Sequence, residues 1–266
     1  MAQRGINIPD TRDFSAFKPS MRPIPARVEA ALAKSVQIGR DLPFAGAAKL
    51  IAPEGDGVTD AVIRNADGVL VVACLTEMPG VTPEMWDWWF GWHAIASERY
   101  LLWHPRDHVS TSLSAKRPPS KDLRARYLGL TSYITERFGV GAVENLSVQF
   151  RDPRDLGLDP AAVDAAGTAI CFRGGAPDKH VETAYAVHFV RRVPGGSEMR
   201  SRFWLGHLRS RLPVVGPLLT LALNTAAVRR KMLPDSFGLN LLRHCSEEMG
   251  HLARILPALY ERFKDE

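Results

Sequence analysis

His244 and Glu248 stand four residues apart near the C-terminus, in a segment whose apolar residues recur every three or four positions. On a helix of 3.6 residues per turn the imidazole and the carboxylate lie one above the other. Phe237, Leu241, Ile255, Ala258 and Leu259 fall in the same sector, so the pair projects from a largely apolar stripe, interrupted by Asn240, Glu247 and His251. Burying an unpaired charge costs several kcal/mol or more, and a cation shared between nitrogen and oxygen ligands offsets that cost. The spacing therefore points to half of a divalent metal site. A satisfied i,i+4 pair would use the same spacing. With eight histidines and 29 acidic residues in the chain, about one such pair is expected by chance.

Two further groups could do chemistry. Glu136 alternates with Ile134 and Phe138 along a strand-like run, an acid on an apolar face. Glu144, which alternates with Leu146, Val148 and Phe150, is its rival. His188 lies in the longest strand pattern, His180 to Arg192, on the face of Glu182, Ala184, Ala186 and Val190. Two alanines beside a histidine leave room for a cavity, although a tightly packed helix would use the same alanines, and a hydrogen-bonded core histidine is the plainer reading.

The elements that must position these groups follow from pattern. Val69 to Leu75 reads as a buried strand, and Thr82-Pro83-Glu84 as a helix start with Thr82 as hydroxyl cap. That helix holds Trp86, Trp88, Trp89 and Trp92 and is expected to run to Trp103, before Pro105. Its stripe of Met85, Trp89, Trp92, Ala96, Tyr100 and Trp103 suits core packing or the wall of an aromatic-ligand pocket. Strands then dominate to about residue 205, including 143–151, 169–173 and 197–205, the last placing Met199, Ser201, Phe203 and Leu205 opposite Arg200, Arg202 and Trp204. After proline-broken helical material at 212–233, a long helix capped by Asp235 or Ser236 runs toward Phe263, with a kink expected at Pro257. This is an α+β layout, an antiparallel sheet with the last helix across its concave side. The turn-rich 53–60 stretch suggests two parts, an N-terminal arm at 1–60 and the main domain at 61–266.

Composition limits the partners. Hydrophobic residues make up 45% of 266 and charged residues 24%, which excludes a largely disordered chain. The net charge of +5 is dispersed apart from short clusters at Arg191-Arg192, Arg200/Arg202 and Arg229 to Lys231, which read as solvated faces rather than a nucleic-acid footprint. Three scattered cysteines suit a reduced, cytoplasmic protein. Cys245 and His244 diverge by about 100° on a helix and cannot form a nucleophile–base pair. The first residues lack a signal-peptide core, and the apolar run 212–223 is too short and proline-broken for a membrane span.

Several separated segments carry a family resemblance. MPGVTPEMWDWWFGWH, ERYLLWHPRDH, TERFG, VHFVRR, GSEMRSRFWLG and RHCSEEMGHL together resemble the diacetylphloroglucinol hydrolase family, over about Met78 to Leu252. The resemblance implies a helix-grip, Bet v 1-like fold and one Zn2+ per chain. It implies hydrolysis of a carbon–carbon bond between an acyl group and an aromatic ring, and a homodimer to which the N-terminal region contributes. By motif the metal ligands would be His108, Glu136, His244 and Glu248. His108 is favoured over His104 on motif position, and Pro105 argues against a shared helix face for those two. His188 would lie in the substrate cavity as the acid–base group, and Tyr100 would reach a substrate oxygen. Phe203 stands where the resembled family presents a second cavity tyrosine, so the implied substrate is an acylated phenol or another β-dicarbonyl rather than one fixed compound. A non-catalytic carrier of hydrophobic or aromatic ligands is the alternative, since fold alone does not decide function.

Overall fold

The computed structural model describes residues 5–137, 143–177 and 180–266. In chain order, α1 (Ala26–Ala33) leads to β1 (Val36–Ile38), β2 (Ala61–Arg64) and β3 (Leu70–Pro79). Next come α2 (Pro83–His93), α3 (Ser97–Tyr100), β4 (His108–Leu113), β5 (Thr131–Arg137) and β6 (Val143–Arg151). They are followed by α4 (Pro160–Ala166), β7 (Gly167–Ala176), β8 (Val181–Val193) and β9 (Gly196–Ser210), then α5 (Gly216–Leu223), α6 (Ala226–Met232) and α7 (Asp235–Phe263). The nine strands form one curved, unclosed sheet in the order β1-β2-β3-β9-β8-β7-β6-β5-β4. Every pairing is antiparallel except β1 with β2. With α7 packed on one face, this is the α+β helix-grip arrangement expected.

Both faces of the sheet carry a core. On the inner face Val62, Leu70, Val72, Phe203 and Leu205 meet Leu241, Leu242, Cys245 and Met249 of α7. On the outer face Ile63, Val71, Val187 and Trp204 are covered by Ala47 and Leu50 of a 3-10 segment and by Leu156, Leu158 and Val163. Burial on both sides is why Val69 to Leu75 reads as an unbroken apolar run.

Several expectations are corrected. The tryptophan helix stops at His93, because Ala96 is extended (φ −143°, ψ 127°) and the Ile95 carbonyl accepts from the Ile8 amide of the N-terminal segment. Thr82 occupies the cap of α2 without a side-chain cap bond. α7 likewise begins at Asp235 with Pro234 at its cap and no side-chain cap bond, since the Asp235 carboxylate accepts from Arg64 instead. Arg200, Arg202 and Arg229 are buried rather than solvated. Arg202 donates to Asp56 at 2.8 and 2.6 Å, Arg200 to the Leu50 carbonyl at 2.9 Å, and Arg229 to the Gly206 carbonyl at 2.8 Å, so these cations tie loops to the sheet. Period two also breaks in β8, where a register shift between Glu182 and Ala184 sends Glu182 outward to Arg173 and Arg211 while Ala184, Ala186 and His188 stay inside.

The seating of α7 is tight at one glycine. A Cβ on Gly238 would meet Val62 at 2.6 Å and Leu70 at 2.8 Å, whereas one on Gly250 would meet nothing within 4 Å. Gly238→Ala is expected to destabilise by about 1–3 kcal/mol through overpacking. Gly250→Ala, gaining helix propensity of up to about 1 kcal/mol, should be neutral or stabilising, and urea melts of the two variants check the pair.

Candidate metal centre

His244 and Glu248 of α7 approach Glu136 of β5 and His108, which ends a tight turn from His104 to His108. That turn closes by the His108 amide donating to the His104 carbonyl at 3.0 Å, and it delivers His108 to the first position of β4. In the sheet His108 pairs with Glu136 of β5. Helix, turn and strand thus bring four groups to one point. His108 Nε2 lies 3.4 Å from Glu136 Oε2 and 3.4 Å from Glu248 Oε2. His244 Nε2 lies 3.8 Å from Glu136 Oε2 and 3.7 Å from Glu248 Oε2. All four residues are buried.

The His108 imidazole is fixed from two sides. Its Nδ1 meets the Tyr100 carbonyl at 3.2 Å, and its ring stacks on Tyr100 at 3.9 Å and 6°. Its Nε2, by contrast, is buried with no hydrogen-bond partner among the described residues. A buried, unpartnered lone pair beside two carboxylates is a place for a cation. Donor atoms of His108, His244 and Glu248 lie within 4.8 Å of one another, as a shared ion requires.

Among the side chains themselves, protons balance the charge. Burial pushes the Glu248 carboxyl up to about 8 against the pull of His244, with Glu136 and Asp107 adding repulsion. Burial also raises Glu136, and it drives the His108 imidazole well below its usual range, helped by His244. His244 goes the other way: burial opposes its charge, but the bond to Asp107 and the nearby Glu248 and Glu136 push it up to about 9.

The site opens on a cavity of about 460 Å³ lined by both carboxylates, Tyr100, Trp103, His188 and Phe203. Its far end is apolar, with Leu208, Leu233 and Phe237. His188 gives its Nδ1 to Ser201 Oγ at 2.8 Å, and its ring lies between Phe172 at 5.5 Å and Phe203 at 5.4 Å. Burial lowers its pKa to about 3, so the imidazole is neutral. The Tyr100 hydroxyl, part of the cavity wall, donates to Glu136 Oε2 at 2.6 Å.

Of the weighed alternatives, Glu144 is exposed at the cavity edge while Glu136 sits inside the cluster. Phe138 lies outside the described residues. His104 and His108 do share a side despite Pro105, because the turn curls them to 5.5 Å between rings, and His104 stacks on His244 instead of entering the inner cluster. The tryptophans at 86, 88, 89 and 92 are fully buried core, whereas Tyr100 and Trp103 of the same expected stripe form cavity wall. Phe90 and His93 also line the cavity, His93 being neither surface nor purely structural, and a helix buried on all sides gives no face from which to read this. Ser201 was missed as the partner of His188; their pairing across β8 and β9 is a register fact.

Residues 43–261 match the family model described as the DAPG hydrolase PhiG domain. The chain is 29% identical over 260 residues to phloretin hydrolase of Eubacterium ramulus, covering 95% of this chain and 90% of that protein. It is 31% identical over 195 residues to 2,4-diacetylphloroglucinol hydrolase of a Pseudomonas species and 30% identical to that of Pseudomonas protegens. Those matches cover 70% of this chain and span 65% and 62% of the two relatives. Among solved structures, Ara h 8.0201 aligns with 67% of this chain and 99% of its own at 12% identity and a TM-score of 0.30.

The three cysteines are buried, and burial, with Asp152 and Asp155 nearby, pushes the Cys171 thiol up to about 12. Native protein at mildly alkaline pH should therefore leave its thiols unmodified by an alkylating reagent, and all should label after denaturation; mass spectrometry reads the difference.

Proposed function

The chain belongs to the DAPG hydrolase family, and from that premise we propose that it is a zinc-dependent hydrolase of acylated phenols, splitting the carbon–carbon bond between acyl group and ring. The observation that carries the metal reading is the unpartnered His108 Nε2 at 3.4 Å from both Glu136 and Glu248. His108, His244, Glu136 and Glu248 would hold the ion, an N2O2 set suited to zinc. Zinc bound there supplies Lewis-acid polarisation of the acyl and ring oxygens.

The chain's own residues do the rest. The apolar cavity excludes bulk water and seats the aromatic ring against Phe203 and Phe172. Water adds to the acyl carbon, the bond to the ring breaks with its electron pair on the ring carbon, and that carbon takes a proton, giving a carboxylic acid and the deacylated phenol. His188 would act as the acid–base group in the cavity wall, accepting the proton of the attacking water and returning it to the ring carbon. Ser201 holds its Nδ1, which aims the other ring nitrogen. Tyr100 orients Glu136, and its hydroxyl is the nearest phenol to the ligand cluster for a substrate oxygen to meet.

The relatives act, by name, on phloretin and on 2,4-diacetylphloroglucinol, both acylated phloroglucinols. Phe203 supplies no hydroxyl to a ring oxygen, so we propose a substrate less dependent on a hydrogen bond at that position.

Purified protein should carry about one equivalent of zinc and release a carboxylic acid from mono- or diacylated phloroglucinols, and His244→Ala and Glu248→Ala should lose both metal and activity. His188→Ala should keep its zinc while kcat falls by about 10²–10⁴. Less than half an equivalent of metal in wild type, or metal and activity retained by either ligand variant, would favour a ligand carrier. In a screen of phenols differing in ring oxygens, Phe203→Tyr should shift preference by about 0.5–1.5 kcal/mol toward substrates with an additional ring hydroxyl.

A further inference from the structure

His244 lies between two sets of carboxylates. Its Nε2 faces Glu248 and Glu136 at 3.7 and 3.8 Å, while its Nδ1 meets Asp107 Oδ2 at 3.3 Å. A neutral imidazole offers a lone pair at one nitrogen, and the partner of the other nitrogen decides which. His104, Asp107 and His244 also form a group with metal-compatible spacing, so two places compete for an ion.

Hydrogen bonding separates them. The outer group is already satisfied: His104 Nδ1 accepts the Asp107 amide at 3.1 Å, His104 Nε2 meets Glu247 at 3.3 Å, and Arg106 neutralises Glu247 at 2.9 Å. The inner group leaves a buried nitrogen of His108 without a partner. The outer carboxylates are also the wetter ones, Asp107 at 19% and Glu247 at 15% exposed against 7% and 10% for Glu136 and Glu248. The need for a cation lies inside.

We propose that Asp107 is a positioning residue for the centre: its carboxylate accepts a hydrogen bond from Nδ1–H of His244 and so keeps the lone pair on Nε2, facing the ion. This rests on the metal reading above. His104 completes the clamp, its ring stacked on His244 at 4.7 Å and 9°, which blocks rotation of the imidazole. One turn from His104 to His108 therefore provides a ligand, the carboxylate that orients a second ligand and the ring that packs against it.

The test is zinc affinity, measured by competition with a chromophoric chelator, for wild type and for Asp107→Ala, Asp107→Asn, Asp107→Glu and His108→Ala, with thermal melts of the metal-stripped proteins and visible spectra of the cobalt(II) forms. Asp107→Ala is expected to weaken zinc about 10–100-fold and to shift the cobalt spectrum while the stripped protein melts as wild type does. Asp107→Asn keeps an acceptor oxygen and should lose less, and Asp107→Glu should recover part of the affinity. Wild-type affinity and an unchanged cobalt spectrum in both Asp107→Ala and Asp107→Asn would overturn the proposal. So would zinc binding that survives His108→Ala but vanishes in Asp107→Ala, which would put the ion in the outer group. Wild type that binds no zinc would instead remove the metal reading itself, and this inference with it.

Discussion

Two carboxylates and two imidazoles share a buried volume, and the requirement to neutralise them governs the architecture around them. Glu136 and Glu248 are drawn from elements 112 residues apart in sequence, yet both lie 3.4 Å from one histidine nitrogen. Such an arrangement is costly unless a cation, or protons taken up for want of one, offsets the desolvation. The sheet, α7 and the turn before β4 must hold these groups without letting them reach water. The apolar stripe of α7 does this by packing on β3 and β9, and the tryptophans of α2 close the opposite side.

The site is layered from that centre outward. Tyr100 touches both partners of the inner cluster, stacking on His108 and donating to Glu136. Asp107 and His104 hold the second histidine from its far side. His188 stands apart on β8, neutral between aromatic rings and fixed by Ser201. Groups that would bind an ion and a group that would move a proton thus occupy different walls of one cavity, which suits hydrolysis of a ligand lying between them.

The candidate groups on α7, β5 and β8 carry local patterns that are weak one by one, and only the resemblance of separated motifs joined them and added His108. The His244/Glu248 pair has helical spacing, Glu136 has strand alternation beside Ile134, and His188 has two small neighbours on its face. What periodicity missed were exceptions to periodicity. A bulge in β8 reverses Glu182, an extended Ala96 ends the tryptophan helix, and a turn through Pro105 gathers His104, Asp107 and His108 on one side. Arginines 200, 202 and 229 misled in a similar way, since a buried guanidinium satisfied by backbone carbonyls or a carboxylate and an exposed one look alike in composition.

By itself, the order of residues determined the α+β class, the long terminal helix and the antiparallel run of strands, because side-chain periodicity is a local property of the backbone. Its separated motifs also determined the family. Tertiary structure alone decided that His108 and Glu136 meet across β4 and β5, that Glu144 stays outside, and that Asp107 takes one nitrogen of His244 while the carboxylates take the other. Those outcomes depend on sheet register and on how a helix seats against strands far away in the chain, and no local spacing encodes either.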